Sequence, residues 1–297
     1  MNYFIKSLCA SSAFIVVALL ISIISILAYG SWPAWKHFGF DFLKQSTWNP
    51  VTLVFGAVTP LWGTLVSSCI AMIIAVPLSF GLALFIEEQA PAWLRPLLAS
   101  LSELMAGIPS IIYGMWGLFS FAPLFADYVQ APLQKYLIHT PLAPLVAGSV
   151  SGIGLLTAGF ILAFMILPFM TAMIRDILTS APPLLKESAY GLGATRWEVF
   201  SKVMVPSTRA PLMGALLLGL GRALGETMAV TFVIGNAYTL SPSLFDASNT
   251  ITSALANEFN EAQESLHLAS LTALGLLLFT ITLIILILSK RWTRAAT

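Results

Sequence analysis

The chain has 297 residues, 58% of them hydrophobic and only 9% charged, with a mean hydropathy of +0.90 and a formal net charge of +1. A water-soluble globule of this composition would expose large apolar patches, so a soluble enzyme or carrier is excluded and the chain reads as an integral membrane protein. No run or stripe of Lys and Arg marks a phosphate-backbone footprint, which argues against nucleic acid as a partner and leaves membrane lipid as the main surroundings.

A spanning helix needs about 20 mostly apolar residues to cross about 30 Å of hydrocarbon. The stretches 13 to 29, 61 to 86, 97 to 122, 143 to 173, 210 to 235 and 268 to 289 meet that condition and predict an all-α membrane protein with six transmembrane helices. The first follows Lys6, but its apolar run is long for a signal peptide and no small-x-small cleavage site follows, so it reads as a retained helix. Residues 1 to 60 thus form a first helix with an outer segment, and 61 to 297 a core of five further helices. Pro77 falls inside the second helix, Gly107 and Pro109 inside the third, and Pro168 near the end of the fourth. Such residues survive in a membrane when neighbouring protein or water satisfies the freed carbonyls. The fourth stretch also carries Gly148, Gly152, Gly154 and Gly159, and its GSVSG matches the GxxxG spacing that lets helix backbones approach closely.

With the N-terminus inside, the inner segments hold Lys6, Arg95, Arg175, Lys186, Arg196, Lys202, Arg209, Lys290, Arg291 and Arg294, against Lys36, Lys44 and Lys135 outside. The positive-inside rule therefore places both termini in the cytoplasm. The outer segment from about 236 to 267 carries Asp246, Glu258, Glu261 and Glu264 with no Lys or Arg.

The longest inner segment, about 174 to 209, reads as two short helices joined at a turn. Pro182 and Pro183 suit a first helical turn, and Gly191 and Gly193 suit the end of that helix. The TRWE string at 195 to 198 is a capping box, in which Thr195 caps and Glu198 reaches back. Trp197, Phe200, Val203 and Met204 then share one face at helical spacing, while Glu198, Ser201 and Lys202 point elsewhere. An apolar stripe on the water side either packs on its own membrane domain or lipid interface, or docks a cytosolic partner.

Glu187, Ala189, Gly193 and Pro206 resemble the EAA signature of permeases of ATP-binding-cassette (ABC) importers, with Ser188 in place of the first alanine and Val203 and Val205 in place of Ile and Leu. The resemblance implies that the segment, including Ala194, Thr195, Arg196, Trp197 and Glu198, is the coupling helix that inserts into a groove of a separate ATPase subunit. Three longer strings, AGIPSIIYGMWGLF from Ala106, GRALGETMAVTFVIGNA from Gly221 and NTITSALANEF from Asn249, are similar to the phosphate-specific branch, most closely its PstC-type subunit. It implies a type I importer permease fold in a bacterial inner membrane, with residues 61 to 297 as the ABC permease core. The partners it implies are a PstA-like sister permease, a cytosolic ATPase dimer and an extracytoplasmic phosphate-binding protein.

Arg222 lies eleven positions beyond Pro211, about 16 Å into the bilayer at the helical rise of 1.5 Å per residue. An Arg at such depth costs about 2.5 to 3.5 kcal/mol on insertion scales, so it should face protein or a water-filled cavity. Glu226, four residues on, is expected on the same helix face as a pairing partner. The reading of these charges is either a structural ion pair or a pathway in which the guanidinium fork matches a tetrahedral oxyanion. Glu103, nearer the inner face, is expected to pair with a basic residue there or with Arg222. Ser110 and Tyr113 follow the Pro109 interruption, where their hydroxyls either line the path or bond to their own helix.

No G-x-x-x-x-G-K-[ST] string occurs, so ATP chemistry belongs to a partner and no cofactor is expected on this chain. HExxH and G-x-S-x-G are also absent, His37, His139 and His267 are scattered, and Cys9 and Cys69 stand alone, which leaves no catalytic constellation, metal site or disulfide framework. The alternative to an ABC permease is a self-sufficient ion-coupled anion transporter, which would leave the inner docking segment without a task and calls for an inverted repeat that the sequence does not display.

Overall fold

The computed structural model describes residues 3 to 295, with side chains from 5 to 287. The basic side chains Lys290, Arg291 and Arg294, counted above towards the orientation, lie outside the described residues. In chain order the helices are α1 (Tyr3–Phe38), α2 (Val58–Gln89), α3 (Arg95–Ala106), α4 (Ser110–Leu137), α5 (Leu155–Thr179), α6 (Pro183–Gly191), α7 (Arg196–Ser207), α8 (Arg209–Leu224), α9 (Met228–Val233), α10 (Ile251–Glu258) and α11 (Ser265–Ala295). A small antiparallel hairpin of β1 (Trp48–Asn49) and β2 (Val54–Phe55) sits between α1 and α2.

Four of these helices, α1, α2, α5 and α11, are each long and apolar enough to cross a membrane. Two sharply bent pairs, α3 with α4 at 88° and α7 with α8 at 83°, make up to six if each pair counts as one span. The third predicted span is therefore not a continuous rod. Pro109 lacks an N–H and drives its predecessor out of helical geometry, and Tyr113 Oη donates to the Met105 carbonyl across the bend at 3.0 Å. The hydroxyl thus satisfies an acceptor at the interruption.

The fourth span begins at Leu155 rather than at 143, so Gly148 and Gly152 lie in the loop before it and the GxxxG reading is corrected. They are small because that loop passes close against α4 and the loop at Asp246. A Cβ on Gly148 would lie 2.2 Å from an Asp246 carboxylate oxygen, and one on Gly152, which has φ +75°, would lie 2.1 Å from the Ala122 carbonyl. The close helix packing is instead supplied by α2. Gly63, Ser67, Ala71, Ala75, Ser79 and Ala83 recur every four residues and are all buried, forming a ridge of small side chains. This ridge lets α2 lie close along α5, where Ser79 Oγ donates to the Leu167 carbonyl at 3.1 Å. On the facing helix a Cβ at Gly159 would meet the Ile70 side chain at 2.5 Å.

The central core gathers Leu155, Ile161, Leu162, Met165, Ile166, Met170 and Ile174 of α5 with residues of α2, α7, α8 and α9. A second cluster at the opposite end joins Phe42, Trp48 and Phe55 to Ile251, Ala254, Leu271 and Leu274. α1 touches the bundle along α11, with Gly30 against Thr272, Ser31 and Ala34 buried, and Trp35 and Phe38 packed on the second cluster, while most of its earlier apolar surface faces outward.

If the α2–α5 contact sets the bundle, Gly159→Leu overpacks it at a cost of about 1–3 kcal/mol. The detergent-solubilised protein then melts at a lower temperature than the parent. Gly81→Leu, on a part of α2 with open space around the added Cβ, leaves the melting temperature at or above the parent value.

Candidate functional site

The basic end of the bundle carries the segment singled out by the EAA pattern. Pro183 opens α6, and Gly193, with φ +85°, makes the left-handed turn that only glycine adopts freely. The Ala194 N–H returns to the Ala189 carbonyl at 3.1 Å, closing the turn. The predicted capping box is present: the Glu198 N–H donates to Thr195 Oγ1 at 3.3 Å, and the Thr195 N–H donates to Glu198 Oε2 at 3.0 Å. Hydrogen bonds from the Thr195 backbone and hydroxyl, followed by Lys202, hold the Glu198 carboxyl down at about 2 from its ordinary 4.5. A lowered folded-state value stabilises above the ordinary one and is lost as the pH falls through it, so the box stays formed down to about pH 4.5 and opens only towards pH 2.

The predicted apolar stripe divides. Phe200 and Met204 are buried in the membrane core and Val203 is half-buried, whereas Trp197 remains 63% exposed. The cause is a widened turn over Val199–Met204, which shifts the side-chain phase away from the 3.6-residue period. Leu184, Leu192 and Trp197 are left outward on the knob, beside exposed Glu187 and Pro206.

What ties this knob to the membrane helices is Glu88, in the last, widened turn of α2. Its Oε1 accepts from Lys186 Nζ at 2.6 Å, its Oε2 from Tyr190 Oη at 2.9 Å, and its backbone carbonyl from Arg196 Nη1 at 2.8 Å. Burial, and then the bond to Glu88, push the Tyr190 phenol above its ordinary value, so it stays a donor. The neighbouring Glu87 faces Arg175 of α5 at 3.7 Å, and Arg175 also pairs with Glu103 at 2.8 Å and Asp176 at 2.9 Å. Glu103 thus pairs with a basic residue at this end and not with Arg222. Sequence reading missed Glu87, Glu88 and the anchoring role of Arg175. The available signal was two adjacent acids ending an apolar span, next to an inner segment rich in Lys and Arg.

Arg222 closes α8, half-buried, with its guanidinium over the Phe169 ring at 5.3 Å. Its Nε is buried and has no hydrogen-bond partner among the described residues. The expected i, i+4 pair with Glu226 is not formed, because the helix ends at Leu224 and the chain breaks over 225 to 227 before α9. Glu226 turns the other way, its Oε1 accepting from the Ala229 N–H at the start of α9 at 3.3 Å. The fifth predicted span is therefore two pieces.

The freed backbone at this break is met by α10. Thr252 Oγ1 donates to the Glu226 carbonyl at 2.6 Å, and the Ile251 N–H donates to Thr64 Oγ1 of α2 at 2.9 Å. Residues 249 to 254 are accordingly buried, so part of the predicted outer segment folds back into the bundle. Two strings noted separately in the sequence, GRALGETMAV and NTITSALANEF, thus meet in space. Across from them, Gly114 lets α4 pack on α9, since a Cβ there would lie 3.0 Å from the Ala229 Cα. Tyr113 is buried on that helix with its hydroxyl committed to Met105, and Ser110 is half-buried at the bend. The structure thus groups Arg222, Glu226 and Thr252 around one backbone break, with Tyr113 and Ser110 on the neighbouring bend and Glu103 apart at the basic end.

A sequence model of the family described as binding-protein-dependent transport system inner membrane component matches residues 75–295. The phosphate transport system permease protein PstC of Pasteurella multocida is 52% identical over 94% of this chain and 87% of that protein. Its counterpart of the same description in Haemophilus influenzae is 51% identical over 96% of this chain and 90% of that protein. A chain of a bacterial alginate ABC transporter, solved in complex with an alginate pentasaccharide-bound periplasmic protein, superposes with a TM-score of 0.59 at 19% identity, covering 96% of each chain. That likeness concerns the fold alone. With the family pattern running through the bends, the α6–α7 segment and the break beside Arg222, the chain belongs to the binding-protein-dependent transport system inner membrane components.

Proposed function

We propose that the chain is one permease half of an ATP-driven importer of inorganic phosphate, set in a bacterial inner membrane with a PstA-like sister permease completing the path. The observation that carries the cargo is the identity of about half of all positions with permeases described as belonging to phosphate transport systems. The basic end is the cytoplasmic one, with both termini on that side. There the α6–α7 knob seats in the ATPase dimer, which supplies ATP hydrolysis, so this chain is neither an enzyme nor a holder of a cofactor. An extracytoplasmic phosphate-binding protein delivers its load to the opposite end, near residues 31 to 60 and 236 to 267.

Within this reading the half-buried Arg222 serves the anion. A guanidinium with an unsatisfied Nε and no carboxylate within 4 Å among the described residues keeps donors free for oxygens of a passing phosphate. Glu226, held by the start of α9 and not paired with Arg222, leaves the guanidinium to the cargo and repels an anion that lingers. Glu88 passes the movement of the knob to α2, and through the small-residue ridge to α5.

Arg222→Gln removes charge-assisted bonds that each contribute about 1.5–3 kcal/mol, so phosphate uptake into cells falls at least about tenfold at unchanged membrane levels, and Arg222→Lys falls between. Wild-type uptake by a correctly inserted Arg222→Gln protein would sink the anion role. Excess sulfate or molybdate leaves the parent uptake of phosphate largely unaffected, whereas equal competition by either would broaden the cargo.

Docking has its own check. Gly193→Val places a β-branched residue at φ +85°, a strain of about 1–3 kcal/mol, and reduces the ATPase that co-purifies with the permease. Leu192→Asp, at a position 90% exposed, has the same effect without touching the fold. Retention of the ATPase by both variants counts against the knob.

A further inference from the structure

The end of the bundle opposite the docking knob holds a half-buried carboxylate that no part of the transport reading uses. Glu258, the last residue of α10, accepts three hydrogen bonds from three separate parts of the chain. Trp48 Nε1 of β1 and His267 Nε2 of α11 both donate to Oε2, each at 2.8 Å, and Tyr238 Oη donates to Oε1. The donors also stack. Trp48 lies parallel to Tyr238 with centroids 5.4 Å apart, and His267 lies parallel to Phe55 at 5.0 Å. His267 is 7% exposed and Trp48 6%. Burial, and then the bond to Glu258, raise the Tyr238 phenol above its ordinary value, which keeps it a donor.

The other end of the same short helix is tied just as firmly, but to the transport site. Thr252 Oγ1 holds the Glu226 carbonyl at the break, the Ile251 N–H holds Thr64, and Ser253 Oγ donates to Asn236 Oδ1 at 2.5 Å. Thr250 caps the helix through the Ser253 N–H at 3.1 Å. From Thr252 to Glu258 is about 9 Å at the helical rise, a span too short and too well capped to bend. A rigid piece fixed at both ends moves both together.

We propose that α10 is a strut, and Glu258 its positioning residue, through which contact at the outer surface sets the backbone break beside Arg222. The hairpin at Trp48, the loop at Tyr238 and the start of α11 converge on one carboxylate, so a displacement of any of them shifts the axis of α10 and, at its far end, the Glu226 carbonyl. The exposed Phe259, Glu261 and Glu264 next to Glu258 are where an extracytoplasmic protein would bear on it. That last step rests on the proposed function; the mechanical link does not.

The test uses the full chain in its native membrane, with Cys9→Ser and Cys69→Ser removing the two free thiols and Gly225→Cys placing one at the break. Glu258→Ala is expected to change the labelling rate of the introduced thiol by a water-soluble maleimide at least about fivefold. At wild-type membrane levels it also abolishes the stimulation of ATPase turnover by phosphate-loaded binding protein. Thr252→Val, which cuts the opposite end of the strut while keeping its shape, should reproduce both effects, and serves alone if Glu258→Ala does not insert. Glu258→Asp, which keeps the charge, restores part of each. Unchanged labelling in an inserted Glu258→Ala or Thr252→Val protein overturns the proposal. Changed labelling together with normal uptake by Arg222→Gln upholds the strut while removing the anion role, so the two readings fail separately.

Discussion

A backbone inside hydrocarbon must find its hydrogen-bond partners within the protein, and two interruptions of the spans here are each matched by a group that meets this demand. The bend at Pro109 is met by the Tyr113 hydroxyl, and the break after Leu224 by Thr252 and by the Glu226 carboxylate. Irregular backbone in a membrane is tolerated where it is covered by protein or lines a water-filled space. The break also stands next to the one arginine of α8 that lies deep in the predicted span, so charge and irregularity share one locality. Neither is accommodated alone: the guanidinium spreads over the Phe169 ring, and the freed carbonyl is taken by a helix that dips in from the far side.

The bundle converts this local arrangement into a connected body. At one end Glu88 gathers Lys186, Tyr190 and, through its carbonyl, Arg196; at the other Glu258 gathers Trp48, Tyr238 and His267. Each is a single residue that ties together elements distant in the chain. Between them run α2 and α5, close enough for a serine on one to reach a carbonyl on the other.

Much of this was legible in the sequence. The positions of the apolar stretches, the capping box at Thr195 and Glu198, the turn at Gly193 and the approximate limits of the docking segment rest on local patterns, and local patterns survive folding. The misreadings share another cause. Gly148 and Gly152 have GxxxG spacing, but spacing does not reveal that the segment is a loop pressed against Ala122 and Asp246. Arg222 and Glu226 are four apart, yet four apart means adjacent only if the helix continues, and the termination at Leu224 depends on α10, nearly thirty residues downstream. Hydropathy counts Gly225, Glu226 and Thr227 as members of one span and cannot see that an outer segment has come to take the Glu226 carbonyl. Glu88 escaped for the converse reason: its partners are about a hundred positions away, beyond any periodicity.

The outward surface of α1 sets a different kind of constraint. Its most apolar window contains no residue buried by the rest of the chain, and α11 meets its later turns, with Leu27 facing Gly275, Gly30 against Thr272, and Ser31 and Ala34 buried. Along that window this chain itself specifies only length and apolarity, the two properties that hydrophobic matching to a bilayer reads, while the later turns are held against α11.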